Sequence, residues 1–179
     1  MYRYIIEEWG SVMKNMLIVY YSWSNGNTER IAKRLSEVTG ADICRIETVN
    51  PYKGTYREVV DQGKREVDEG YMPEIKELSH DINDYKCIAI GTPTWWYTMA
   101  PAVRTFMKEQ NWSGKTVIPF MTNGGWPGHC IKDMRDIAAG SKTVCEMEIK
   151  FDSNGGDELQ TDENDIEKWM MKVKELSVI

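Results

Sequence analysis

The chain has 179 residues, a formal net charge of −6 and a hydrophobic fraction of 41%. This length predicts one domain with a sizeable core, and the composition is that of a globular protein. The acidic balance disfavours nucleic-acid binding, which needs a basic face. No apolar run is long enough to span a membrane. Charged residues at 7 and 8 interrupt the apolar N-terminal run, so a secretory signal is not expected and we predict a cytoplasmic protein.

The cysteines and histidines do not suggest a metal or disulfide site. Cys44, Cys87, Cys130 and Cys145 lack metal or redox spacing, and three of them lie in strand-like runs, which favours buried reduced thiols. The two histidines have no second candidate ligand nearby in sequence, so no metal is predicted. Seven tryptophans and nine tyrosines are many for this length, and the excess suggests a flat aromatic ligand.

Apolar and amphipathic runs alternate along the chain after residue 15. We predict that residues 1–15 are an N-terminal extension and that residues 16–179 form the domain. The predicted strands and helices, in order, are strand 16–21, helix 28–38, strand 41–47, helix 55–69, strand 85–90, helix 101–107, strand 116–122, helix 129–139, strand 143–151 and a last helix from about 162. Five strands alternating with helices predict a parallel sheet covered on both faces.

The loop at 22–28 connects the first strand to the first helix and is rich in hydroxyl and amide groups. A helix N-terminus behind such a loop is suited to binding an anion. Gly26 is not followed by Lys, so a Walker loop is disfavoured, and the dinucleotide fingerprint Gly-x-Gly-x-x-Gly is absent. Taken alone, the loop is equally well explained as a polar turn that caps a helix.

Two further strands end in loops of similar character. Residues 92–97 contain Pro93, Trp95 and Trp96, and residues 122–128 contain Asn123 and two consecutive glycines. The carboxyl ends of parallel strands meet at one edge of the sheet, where ligands bind in this class of fold. Three such loops at one edge favour a ligand site over three unrelated turns.

These motifs together resemble the flavodoxin family, in particular a bacterial subfamily with a Pro-x-Trp-Trp loop. The match lies in residues 20–28, in Pro93, Trp95 and Trp96, in the segment 100–106, and in residues 122–125, in the family's order and spacing. The resemblance covers about residues 16–176. It implies a three-layer α/β/α sandwich with a five-stranded parallel sheet of order 2-1-3-4-5. The first loop is one residue longer than the family's Ser-x-Ser/Thr-Gly-Asn-Thr.

The same resemblance implies bound FMN and three groups of cofactor-binding residues. The phosphate would lie in the first loop, the isoalloxazine against the second, and its pyrimidine edge along the third. The groups are Ser22, Trp23, Ser24, Asn25, Gly26, Asn27 and Thr28; Pro93, Thr94, Trp95, Trp96 and Tyr97; and Thr122, Asn123, Gly124 and Gly125. One of the two adjacent indoles should point to the core and the other to the flavin, with Trp126 as a third stacking candidate.

The resemblance leaves two functions open. The first is electron transfer between redox partner proteins, a reductase and an acceptor, without catalytic residues of its own. The second is an NAD(P)H-dependent FMN oxidoreductase acting on quinones. The acidic segment 151–167 holds seven acidic residues and no Lys or Arg. It is either a solvated loop and helix start or a patch that docks basic redox partners. A receiver domain is disfavoured because Ser22 and Ser24 stand where its acidic cluster would lie.

Overall fold

The computed structural model describes residues 14–177, with only the backbone of Lys14. The predicted extension lies almost wholly outside the described residues, so it stays a prediction. The first strand starts at Lys14, two residues earlier than predicted. The elements, in chain order, are β1 Lys14–Tyr20, α1 Asn27–Thr39, β2 Asp42–Arg45, α2 Tyr56–Asp68, a 3-10 turn Ile82–Asp84, β3 Tyr85–Trp95, β4 Thr98–Met99, α3 Pro101–Lys108, β5 Thr116–Asn123, α4 Cys130–Ile137, β6 Lys142–Thr143, β7 Met147–Lys150 and α5 Glu163–Ser177.

The strands form one sheet with the order β2-β1-β3-β5-β6, and β7 also pairs with β5. Every pairing is parallel except that of β3 with β4. If β6 and β7 are taken as one interrupted strand, this is the predicted order 2-1-3-4-5. The α/β/α class is therefore confirmed, whereas residues 14–177 contain seven strands instead of the predicted five.

The predicted strand 143–151 is broken into two pieces. β6 pairs with the start of β5, and β7 pairs with its end. Between them Cys145 has a φ of 52°, in the left-handed region. Such a residue cannot continue a pleated ladder, so the strand kinks at this point and resumes at Met147. The predicted strand 143–151 contains no glycine or proline that would indicate the break.

The third strand is longer than predicted and ends in a hairpin. Residues 91–95 continue β3 instead of forming a loop, because residues 91–93 pair with residues 120–122 of β5 and residues 94–95 pair with β4 across a two-residue turn. The Pro-x-Trp-Trp motif is thus the tip of a β-hairpin. Its position at the carboxyl edge of the sheet is as predicted.

Alternate residues of the central strands face two separate cores. On β1, Leu17 and Val19 face a core that includes α3 and α4, and Ile18 faces the core formed with α1 and α5. The period of two follows from the pleat. Burial on both faces explains the nearly continuous apolar runs that the sequence shows. In the described part of the chain, no helix has the length and apolar character that a membrane span requires.

Candidate functional site

A cavity of about 330 Å³ lies at the carboxyl ends of β1, β3 and β5. The register of the sheet places these ends side by side, with Tyr20 opposite Gly91 and Pro93 opposite Thr122. All the predicted site residues line the cavity except Ser22, Gly26 and Gly125. Its volume is in the range of small-ligand and cofactor sites. The structure thus brings the three predicted loops together.

The N-terminus of α1 forms one end of the cavity. The Glu29 N–H donates to Ser22 Oγ at 3.3 Å, and the Arg30 N–H donates to the Gly26 carbonyl at 2.9 Å. Within residues 14–177, no hydrogen bond engages the N–H groups of Asn27 and Thr28. These groups and the helix dipole favour an anion at this end. We refer to it as the phosphate end.

The three predicted residues outside the lining support the loops from behind. Ser22 is only 2% exposed, and its hydroxyl is engaged by the α1 backbone. Gly26 precedes α1 with a φ of 75°, which favours glycine. The Gly125 N–H donates to Asn123 Oδ1 at 2.6 Å. These contacts fix the shape of the first and third loops.

The first and third loops are joined beneath the cavity. Thr28 Oγ1 and Thr122 Oγ1 lie 2.8 Å apart, and both residues are buried. A buried hydroxyl pair of this kind is costly to break because each partner would lose its hydrogen bond in a water-poor site. The bond therefore fixes the distance between the helix N-terminus and the end of β5.

The opposite end of the cavity is built from the β3–β4 hairpin. Its two turn residues, Trp96 and Tyr97, have φ values of 48° and 70°. Such a turn normally takes Asn and Gly, because side chains with a Cβ are strained there. The Trp96 indole N–H donates to the Val60 carbonyl at 2.9 Å, and Lys64 Nζ lies 5.4 Å from the indole ring. Helix α2 thus holds the turn. We refer to this as the aromatic end.

Trp95 and Trp96 point in different directions, as predicted. Trp95 packs edge-on against Tyr21 and Tyr52, with ring centroids 6.0 and 4.9 Å apart. It also lies against Gly63 of α2, where an added Cβ would come within 2.9 Å of the indole. Trp96 is 38% exposed at the cavity mouth. The core-facing indole is therefore Trp95.

The third loop closes on the hairpin. The His129 N–H donates to the Tyr97 carbonyl at 2.8 Å. Gly128, with a φ of 57°, packs so closely that a Cβ would lie 2.3 Å from the same carbonyl oxygen. Beside it, Trp126 lines the cavity and is 57% exposed, while Tyr97 is 50% exposed. The aromatic end is therefore open to solvent.

The family assignment follows from a match over most of the chain. A model of the flavodoxin family matches residues 15–172. The chain belongs to the flavodoxin family. No curated protein matches this sequence.

Solved structures share the fold of this chain over almost their whole length. A protein from Bacteroides eggerthii DSM 20697, described as a flavoprotein, is 26% identical, with a TM-score of 0.70 over 88% of this chain and 96% of that one. A flavoprotein from Lactobacillus acidophilus NCFM, crystallised in complex with FMN, is 23% identical, with a TM-score of 0.67 over 87% and 98%. A Bacteroides uniformis ATCC 8492 protein, also described as a flavoprotein, is 21% identical, with a TM-score of 0.72 over 88% and 98%.

The flavodoxin family binds FMN, and the cavity of this chain has groups that fit this cofactor. Asn27 Oδ1 is a buried acceptor without a hydrogen-bond partner in the described chain, while its Nδ2 donates to the Gly156 carbonyl at 2.9 Å. A buried acceptor of this kind is satisfied when a ligand hydroxyl donates to it. FMN carries hydroxyls on its ribityl chain, a phosphate for the α1 N-terminus and a flat ring for the aromatic end. The donor set therefore matches the group.

Two parts of the cavity lining were not predicted from the sequence. Helix α2 contributes Tyr56, Val59, Val60 and Gly63 to the lining, and the segment after β7 contributes residues 151–153, 155 and 156. The spacing of Tyr56, Val59 and Gly63 marks one face of a helix, but not what that face covers. Asp152 and its glycines looked like an acidic surface loop. Neither signal identifies a cofactor wall without the fold.

The titratable residues that line the cavity, within the described chain, are Tyr56, Tyr97 and Asp152. The Asp152 carboxylate accepts N–H donors from Gly156, Glu158 and Asn154, and these hold its pKa below its usual value. Behind the aromatic end, burial raises the pKa of the Cys130 thiol to about 12. The Asp152 carboxylate is thus engaged in hydrogen bonds with the backbone of its own loop, and the Cys130 thiol stays protonated near neutral pH.

Proposed function

We propose that this protein carries electrons between redox partner proteins with FMN as its cofactor. The observation that carries the proposal is a continuous cavity. It runs from helix N–H groups that have no hydrogen-bond partner in residues 14–177 to an exposed aromatic rim. A ring system seated at the aromatic end would have an edge near solvent, where a partner's redox centre can approach. Tight binding at the phosphate end would keep the cofactor attached during successive encounters.

The lining favours a carrier over a stand-alone oxidoreductase. Proton-coupled reduction of a bound substrate is helped by a side chain whose pKa lies near the working pH. In the described chain, the lining contains no His, Lys, Cys or Glu, and its one carboxylate is held by backbone N–H groups. Electron transfer through an exposed flavin edge needs no such group at a substrate.

The proposed partners are proteins with basic docking faces. The chain has a net charge of −6, to which the seven acidic residues of segment 151–167 contribute, and the beginning of this segment lines the cavity. Opposite charge on a partner would accelerate encounter in a salt-sensitive way. The four cysteines are free and none is more than half exposed, which suits the reducing cytoplasm that we propose as its compartment.

The test compares the protein alone with the protein in a coupled assay. The protein is loaded with FMN and mixed with NADPH and a soluble quinone. A carrier gives little steady NADPH oxidation alone, but transfers electrons to cytochrome c once a separate NADPH-dependent flavoprotein reductase is added. Salt should slow this coupled rate. Steady NADPH oxidation by the protein alone would instead establish the NAD(P)H-dependent oxidoreductase, and failure to bind FMN would overturn both functions.

A further inference from the structure

Five aromatic rings form a connected cluster that begins in the cavity wall and ends outside the cavity. Tyr56 stacks on Trp23, with ring centroids 5.9 Å apart, and Trp23 lies edge-on to Trp95 at 6.2 Å. Trp95 in turn contacts Tyr52 at 4.9 Å and Tyr21 at 6.0 Å. The first three rings line the cavity, whereas Tyr52 and Tyr21 do not line it. We refer to these five residues as the aromatic cluster.

Tyr52 differs from the other tyrosines of the aromatic cluster in what its hydroxyl contacts. This hydroxyl donates to Glu66 Oε2, on α2, at 2.5 Å. The other carboxylate oxygen accepts from Gln62 Nε2 at 2.7 Å, and Glu66 is only 9% exposed. Within residues 14–177, no hydrogen bond engages the hydroxyl of Tyr21 or of Tyr56. A base therefore lies within reach of the Tyr52 hydroxyl and not of the other two.

A tyrosine beside a carboxylate is suited to losing an electron and a proton together. A phenol that loses only an electron becomes a strongly acidic radical cation, so its oxidation is helped by a base within hydrogen-bond reach. Glu66 already holds the hydroxyl, and no rearrangement has to precede the proton transfer. Burial, and then the hydrogen bond to the Glu66 carboxylate, raise the pKa of Tyr52. The ring therefore keeps its proton until it is oxidised.

We propose that the aromatic cluster carries a one-electron oxidation from the cavity wall to Tyr52, with Glu66 as the proton acceptor. The oxidant is a strong one-electron oxidant, such as an oxygen-centred radical, that reaches the cavity. It takes one electron from the indole of Trp23 or Trp95 and leaves an indole radical cation. An oxidised Trp23 first takes an electron from Trp95.

The last step restores the cavity wall. Tyr52 gives one electron to the oxidised Trp95 and passes its hydroxyl proton to Glu66. The products are a neutral indole, a neutral tyrosyl radical and a carboxylic acid, so charge and atoms balance. The damage thus moves from rings that line the cavity to a ring outside it. This activity goes beyond the proposed function, because no step of it needs a flavin.

The test exposes the full-length apo-protein to azidyl radicals, which are one-electron oxidants formed by radiolysis of an azide solution. Peptide mass spectrometry then measures the oxidised fraction of each tryptophan. Tyr52→Phe keeps the ring but removes the hydroxyl, so the oxidised fractions of Trp23 and Trp95 should rise severalfold. Glu66→Gln keeps the side-chain size but removes the base. It should act in the same direction, so it serves as the second variant if Tyr52→Phe folds poorly.

Pulse radiolysis follows the same reaction in time. In the unsubstituted protein, the absorbance of the tryptophanyl radical should decay while that of the tyrosyl radical grows. We expect this transfer to be about 100-fold slower in Glu66→Gln, which is within the range that a positioned proton acceptor contributes. It should also be slower in heavy water. A Glu66 side chain that only packs would leave the transfer rate unchanged.

Trp126 is the internal control, because it is 57% exposed and makes no ring contact with the aromatic cluster in the described chain. Its oxidised fraction should be the same in every variant. Tyr71→Phe, at an exposed tyrosine outside the aromatic cluster, should change nothing. Unchanged indole oxidation in folded Tyr52→Phe and Glu66→Gln would overturn the inference, as would the absence of tyrosyl formation in the unsubstituted protein. Either result would leave the proposed electron transfer with FMN intact.

Discussion

The two ends of the cavity are built in opposite ways. The phosphate end consists of polar groups in a dense network, with side chains of one loop bonded to backbone carbonyls of another. The aromatic end consists of half-exposed rings around a turn with two left-handed residues. This turn is fixed by the Trp96 indole hydrogen bond, by the His129 N–H bond to the Tyr97 carbonyl and by close packing of Gly128. One end thus offers polar groups that have no hydrogen-bond partner in the described chain, while the other offers exposed rings on a strained turn.

From this difference we expect the phosphate end to determine the affinity for FMN and the aromatic end to determine access to its ring. An enclosed anion site with preformed donors binds a phosphate strongly, because its groups need no reorganisation. An open aromatic rim contributes less binding free energy but gives a partner access to the ring. A strained turn is tolerated where packing and hydrogen bonds from the surrounding structure hold it in place. We therefore expect substitutions at the phosphate end to weaken FMN binding more than riboflavin binding, and substitutions at the aromatic end to weaken both equally.

The largest effect is expected at the phosphate end. Asn27→Leu keeps the side-chain size but removes the donor to Gly156 and the buried amide oxygen. We expect FMN affinity to fall about 10- to 100-fold, the range for losing a hydrogen bond in a charged site. Riboflavin shares the ribityl hydroxyl that would donate to this oxygen, but it has no phosphate at the end that the Asn27–Gly156 bond supports, so its affinity should fall to a smaller extent. Fluorescence titration with both flavins measures the two dissociation constants.

Asn164→Leu is the control for this substitution, because Asn164 is exposed in the first turn of α5 and does not line the cavity. It should change neither dissociation constant. Equal loss of FMN and riboflavin affinity in Asn27→Leu would show that the residue shapes the whole cavity. It would contradict the claim that the two ends of the cavity act on different parts of the ligand.

A smaller effect is expected at the aromatic end. Trp96→Ala removes a ring from the cavity mouth together with its bond to Val60. We expect FMN and riboflavin to weaken together by about tenfold, the scale of one aromatic contact, so their ratio should stay constant. Trp96→Phe keeps a ring and should retain most of the affinity. A selective loss of FMN in Trp96→Ala would contradict the division between the ends.

The smallest effect concerns the strained turn itself. Tyr97→Asn places a residue that tolerates the left-handed region at a φ of 70°. The free energy of unfolding of the apo-protein should rise by about 1 kcal/mol, while flavin affinity falls with the lost ring. Urea denaturation measures the first quantity. Tyr71→Asn, at an exposed tyrosine without positive φ, should give no gain, and a gain equal to that of Tyr97→Asn would argue against stored strain.

Much of the fold could be predicted because its signals are local. The apolar run at 85–90 and the amphipathic runs at 28–38 and 55–69 each depend on neighbours in sequence. The strand break at Cys145 could not be predicted, since its positive φ is imposed by the register of β6 and β7 against β5. The extension of β3 to Trp95 depends on pairing with β4, which propensity alone does not reveal.

The sequence by itself determined the fold class, the edge of the sheet that holds the site, and most of the residues that line the cavity. The fold class and the edge follow from periodicity and from the rule that parallel strands present their carboxyl ends together, and the lining residues follow from the resemblance to the flavodoxin family. Only the tertiary structure decided that Trp95 is the indole packed against the core, that α2 forms a wall, and that the loop at residues 152–157 lies against the phosphate end. The contact of Tyr56 with Gly155 joins residues far apart in the chain. Packing, and not local propensity, brings them together.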